Sequence, residues 1–367
     1  MTARSPRTSA TASSSTRPPS RDAVEEPRLL RLDARGARYV LRRVVREFFL
    51  LGVIDMAAKL TFFTLLAVAP TILAIYSIAT IVLANNAALV SELTADFITT
   101  YIPEEYRAAV TDLVNTVIGS STGGIVGLIV GTVVALWSAS AYVRAFSRCA
   151  NTVYEQTEGR PMIAKLATML GTTLFMVVGM VLILASVMLN ETVVNATLGL
   201  IAEPLGLSRV LDYLLGVFLP VWRWLKWPII FALSALLLAV LYYVTPNVRQ
   251  ARFRWLSIGA CSALIGIALV SVGFWIYLNY FPALGSYGAI GSVLALMFAL
   301  WGANIFLILG VKIDAEIERV HQLKAGVRAE RQLQLPPRSI RRTRQREAAR
   351  EKMAERGRDL RLDYLED

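Results

Sequence analysis

The chain has one histidine, His321, and two cysteines, Cys149 and Cys261, in 367 residues. A zinc site takes three or four Cys, His or carboxylate ligands at close spacing, and no such set surrounds any of the three. A disulfide scaffold needs many more cysteines than two. No metal, cofactor or catalytic residue is therefore expected. Charge is also sparse: 18% of the residues are Asp, Glu, Lys or Arg, against about 25% in an average soluble chain. Apolar side chains make up 55%, with a mean hydropathy of +0.53. That excess cannot all sit inside one water-facing globule. The balance of charge is basic, 38 Lys and Arg against 27 Asp and Glu, net +11. So apolar a chain does not suit a DNA-binding domain or a disordered scaffold; it suits a polytopic membrane protein with charged tails.

Six apolar stretches are long enough to cross a bilayer, which takes about 20 helical residues. They fall near 60–84, 123–143, 167–189, 227–245, 256–280 and 288–311. The alternation expected of barrel strands is absent, and a backbone without water must be satisfied within helices. An all-α, six-span membrane domain over 56–315 is the expectation. The stretch 193–222 is apolar but contains Glu203, Pro204, Arg209, Asp212 and Pro220, and is read as interfacial or re-entrant. Residues 1–36 read as a disordered tail rich in Ser, Thr, Pro and Arg near its start. No apolar run follows the first basic residues, so no cleavable signal peptide is expected. Within 37–55, Val40, Leu41, Val44, Val45, Phe48 and Phe49 recur at helical spacing opposite Arg42, Arg43, Arg46 and Glu47. That pattern suits an amphipathic helix lying on an anionic surface, or one packed on the protein's own core. Residues 316–367 form a basic, partly helical tail, with five Arg between Arg338 and Arg346.

Charge sets the direction. Thirty-three Lys and Arg fall in the two tails and the 142–166 and 246–254 loops, four in the loops of the other side, and Lys59 at the boundary. The positive-inside rule then places both termini in the cytoplasm of a bacterial inner membrane. Anionic headgroups of that face are expected partners, nucleic acid is not, and oligomerisation stays open. Net charge is +14 inside and −4 outside.

Gly123, Gly127 and Gly131 stand four apart in the second stretch and leave one helix face nearly bare, for close helix packing or for the border of a pathway. The span centres carry no ionisable residue, which argues against a charged filter or a proton relay. Asp55 and Lys59 at the first span and Lys312, Asp314, Glu316 and Glu318 at the last are boundary groups. They serve as interfacial anchors or line a polar entrance where these helices meet. Asn304 is read as an interhelical hydrogen-bonding group or a pathway residue, and Pro70 as a kink. Trp222, Trp224 and Trp227 suit an aromatic belt at the outer boundary.

Four segments in order resemble the BrkB/YihY family of bacterial membrane proteins. They are AAKLTFFTLLAVAPTILAIYSIAT with Pro70; WSASAYVRAFSRCANTVYEQTEGR with Asn151, Tyr154 and Arg160; LYYVTPN with Pro246; and SYGAIGSVLALMFALWGANIFLILGVKIDAEIER with Tyr287, Gly288, Asn304 and Glu316. Gly259 and Gly310 also align. The resemblance implies a six-span inner-membrane fold, variously linked to serum resistance, to export of lipid-like envelope components and to a tRNA-processing ribonuclease label. A metal-dependent ribonuclease needs a dense His and Asp cluster, which one histidine cannot build. The expectation is a non-enzymatic protein that moves an amphipathic, lipid-like substrate; the alternative is a scaffold that recruits a cytoplasmic partner through its tail.

Overall fold

In the computed structural model of the chain, residues 32–82, 124–189, 214–250, 255–280 and 288–366 are described, with scattered positions between 95 and 112 and at 194. The described chain is all-α. Helix α1 is Ala34–Leu50, α2 Val53–Val82, α3 Gly124–Val153 and α4 Met162–Met188. A π-helical turn, Leu214–Phe218, leads into α5, Leu219–Val244; then come α6, Ile258–Tyr280, α7, Gly288–Lys324, and α8, Arg341–Glu366. Among the described residues the only approach to a sheet is one antiparallel bridge between Val248 and Pro337.

Helices α2 to α7 stand where the six apolar stretches were expected. Four described helices are long and apolar enough to cross a membrane: Met162–Val187, Leu215–Val244, Ile258–Leu278 and Val293–Lys324. Counting the bent pair Ala34–Leu50 and Val53–Ala67 as one broken span makes five. Apolar side chains stand exposed along α4 and α6, among them Leu174, Val178, Leu182, Leu269 and Trp275. Helices that are apolar all round belong in lipid, where such exposure is favourable.

Helix α7 is central, packing on α6, α2, α1 and α3, while α4 packs on α5 and α3. At about 1.5 Å per residue its 37 residues span about 55 Å. That exceeds a hydrocarbon core of about 30 Å, so α7 does not end with its apolar run at 311. It continues as a charged helix to Lys324. Residues 325–340 then turn back as an extended strap beneath the ends of α3, α5 and α7. We call this the polar end of the bundle. Helix α8, beyond the strap, is almost wholly exposed.

Helix α1 starts at Asp33, whose carboxylate accepts from the Gly36 N–H at 3.2 Å and caps it. Its inner face, Gly36, Val40 and Val44, packs on Ile317 and Val320 of α7. Most of the 193–222 segment and Gly123 lie outside the described residues.

Candidate functional site

The charged extension of α7 is buried. Lys312, Glu316 and Arg319 lie on one face of the helix at i, i+4 and i+3 spacings, and each is at most 1% exposed. Lys312 Nζ reaches Glu316 at 2.6 Å and also contacts Glu47 of α1. Arg43 of α1 pairs with Glu47 and lies 2.9 Å from Glu316 Oε2, the same oxygen that Arg319 contacts at 3.0 Å. Arg319 then donates to Glu155, just past α3, at 2.6 Å and to the Ala329 carbonyl of the strap at 2.7 Å. Three cations and three carboxylates thus join α1, α3, α7 and the strap. Buried charges persist when paired in this way, although the Arg43 Nε, close to Glu316, makes no hydrogen bond. Glu155 has a left-handed backbone, φ 56°, a conformation a non-glycine residue holds only when its surroundings impose it. Its carboxylate accepts from both Arg319 and the Leu333 N–H, the latter at 3.0 Å.

A second polar cluster closes the end of α5. The last carbonyls of any helix lack intrahelical donors. Here Arg160 donates to the Thr245 and Val244 carbonyls at 2.7 and 3.3 Å. Arg338 of the strap donates to those of Tyr243 and Val248, and its guanidinium lies 5.0 Å over the Tyr243 ring. Cations are favoured at a helix carboxyl end. Glu158 holds Arg160 through both carboxylate oxygens, at 2.9 and 3.0 Å, and Lys165 at 3.1 Å. Burial pushes the Glu158 carboxyl up, but the hydrogen bonds and charge of Arg160 and Lys165 outweigh it and hold the group at about 2. Asn151 donates to Glu158 and accepts from the Asn247 N–H, and Asn247 bonds the strap at Ser339. Pro246 is buried where α5 stops. Tyr154, buried between the two clusters, meets Gln250 at 3.3 Å.

Deeper in the bundle Asn304 joins three helices. Its Oδ1 accepts from the Tyr142 hydroxyl of α3 at 2.9 Å, and its Nδ2 donates to Thr61 of α2 at 3.2 Å. It is thus an interhelical hydrogen-bonding group. Helices α6 and α7 cross at Gly259 and Gly310, where a Cβ on either glycine would collide with the other's carbonyl. Asp314 accepts from Ser257 Oγ at 2.6 Å and the Gly259 N–H at 2.8 Å, so a carboxylate faces the positive start of α6. Away from that crossing, a shallow apolar groove of about 320 Å³, open along one side, runs between the same helices, lined by Phe274, Tyr277, Ala295, Phe298 and Ala299 among others.

Asp55 and Lys59, four apart on α2, are both exposed and form no ion pair with each other. Pro70, Gly127 and Gly131 lie within helices, but their surroundings fall outside the described side chains; Gly288 begins α7, and Tyr287 lies outside the described residues.

The sequence model of the family described as Virulence factor BrkB matches residues 44–334. The chain belongs to this BrkB family. The match runs from inside α1 to Gln334 of the strap, so it includes both partners of every ion pair in the first cluster except those of Arg43. Two curated proteins are similar. One is the ribonuclease-like protein YfkH of Bacillus subtilis (strain 168), 27% identical over 61% of this chain and 76% of that protein. The other is the UPF0761 membrane protein RC1_0578 of Rhodospirillum centenum, 22% identical over 76% of this chain and 57% of that protein. No solved structure matches.

Of the BrkB residues that sequence reading singled out, Asn151, Tyr154, Arg160, Pro246 and Glu316 converge at the polar end. Arg43, Glu47, Glu155, Asn247, Arg319 and Arg338 were not foreseen as part of it. The opposite charges three and four apart in 43–47 and 312–319 were the available signal. Nothing local marks Asn247 or Arg338, whose partners lie about ninety residues away.

Proposed function

We propose that this BrkB-family protein is a six-span inner-membrane protein, with its polar end and both termini in the cytoplasm, that seats and moves an amphipathic, lipid-like envelope component. The observation that carries this reading is the open apolar groove between α6 and α7. Its aromatic and small lining, open along one side, suits an acyl chain laid along it. The imbalance of thirty-three basic residues against four supports the orientation. The ribonuclease-like name belongs to the Bacillus relative. Among the described residues, no three His, Cys, Asp or Glu side chains group as metal ligands, the arrangement a metal-dependent hydrolase would use.

Purified protein reconstituted in liposomes should accelerate the transbilayer movement of a fluorescent anionic lipid, measured by quencher accessibility. Ala299→Phe, which fills the groove, should slow it. No acceleration with any of several headgroups would overturn the proposal. A second reading, a scaffold for a cytoplasmic partner, is favoured by α8, whose Met353, Leu360 and Tyr364 stand exposed. Removing residues 341–367 separates the two, because a translocator keeps its activity and a scaffold loses its partner.

A further inference from the structure

Helix α1 is divided into sectors. Its inner sector is occupied by the contacts of Gly36, Val40 and Val44 with α7 and by the ion pairs of Arg43 and Glu47. The outer half is not polar throughout, as a water-facing helix would be. Leu41, Val45 and Phe49, each four residues from the next, are 64, 58 and 73% exposed. Arg38, Arg42 and Arg46, also four apart, stand exposed in the sector beside them.

The helix is also set at an angle. The axes of Ala34–Leu50 and Val53–Ala67 differ by 67°, and the bend falls at Gly52, whose φ of +63° suits glycine. With α2 tilted like an ordinary span, about 20° from the bilayer normal, α1 lies nearer the membrane plane than the normal.

We propose that the outer half of α1 is an in-plane docking surface for the anionic inner leaflet. Leu41, Val45 and Phe49 enter the acyl boundary, and Arg38, Arg42 and Arg46 lie among the phosphates. Charge complementarity selects the occupant: an apolar stripe flanked by cations matches a negatively charged lipid surface, where each cation strengthens attachment. The inner face is held to α7, so the leaflet meets only the outer sector. The inference rests on the chain being a membrane protein and not on lipid translocation.

The test uses the full-length protein in Cys149→Ala, Cys261→Ala form, carrying an environment-sensitive fluorophore at Val45→Cys. The vesicles hold phosphatidylcholine with or without phosphatidylglycerol, and either lipid can be brominated as quencher. The proposal expects quenching by lipid and not by aqueous iodide, with brominated phosphatidylglycerol enriched about fivefold or more over its bulk share. Replacing Arg38, Arg42 and Arg46 together by Gln should abolish that enrichment, and replacing them by Lys should retain it, since a point charge suffices. A label quenched by iodide alone, or shielded only when an acidic soluble protein is added, would overturn the proposal. So would equal quenching by both lipids with all three Arg present. The resting protein is measured, so failure of the translocation assay leaves this result unaffected.

Discussion

Glu316 is the residue on which the most charge depends. It is fully buried, and Arg43, Lys312 and Arg319 all point at its carboxylate. Removing one partner of a buried ion pair leaves uncompensated charge and costs about 3–5 kcal/mol. Glu316→Ala should therefore melt well below the parent protein in detergent, whereas exposed Asp55→Asn should stay within about 0.5 kcal/mol. Equal melting of the two variants would refute the assignment. Glu158 carries a pH signature. Its folded-state value of about 2 lies below its ordinary 4.5, so the unfolded chain binds the proton first on acidification. Its contribution is present above about pH 4.5 and declines as pH falls toward 2. A plot of melting temperature against pH should fall through that window for the parent protein and be flatter for Glu158→Gln. An unchanged slope in the variant would show that Arg160 and Lys165 gain nothing from the carboxylate's charge.

At the scale of elements, the crossing of α6 and α7 depends on what is missing from two side chains. Gly310→Ala places a methyl against the Gly259 carbonyl and the Tyr242 hydroxyl, which donates to the Leu307 carbonyl at 2.6 Å. Overpacking of this kind costs about 1–3 kcal/mol. Gly171 in α4 has nothing within 4 Å of a built Cβ, so Gly171→Ala should instead gain up to about 1 kcal/mol from helix propensity. Opposite shifts in melting temperature are expected. The helical elements themselves are legible from apolar runs, because a bilayer demands length and apolarity and nothing subtler. Their ends are less so. Hydropathy breaks off at Lys312, yet the helix continues for three more turns because Glu316 and Glu47 neutralise that charge. In residues 37–55, Val40 and Val44 pack on the protein's own core, while Arg43 and Glu47, expected on the polar face, also turn to α7, and Leu41 and Val45 are exposed. A single apolar pattern does not separate these faces; the position of α7 does.

At the scale of the whole molecule, the strap turns separate helix ends into one polar layer. It has no periodicity to reveal it, and its partners are distant in sequence: Gln156 donates to the Leu335 carbonyl and Ser339 to that of Gly159, each about 180 residues away. Leu333 is 2% exposed within the main core cluster. The Gly159 backbone lies so close to Ser339 that a Cβ there would overlap the Ser339 carbonyl. Helix α8 adds only its first turn, where the Arg342 N–H donates to the Gly159 carbonyl at 3.0 Å and the Thr343 and Thr157 hydroxyls lie 3.3 Å apart; beyond it the side chains are exposed. Two truncations should therefore behave differently although both remove only the basic tail. Ending the chain after Ile340 leaves the strap in place and removes only those two hydrogen bonds at its edge, so the melting temperature should stay close to that of the full chain. Ending it after Lys324 uncovers Glu155 and the α5 carbonyls and exposes the core beside Leu333. Burial of one leucine is worth about 1.5–3 kcal/mol and each lost hydrogen bond about 1 kcal/mol, so a large drop is expected. Leu333→Ala in the full chain should reproduce part of it, about 2–5 kcal/mol. If both truncations melted alike, the strap would be an ornament on the bundle and not the element that closes its polar end.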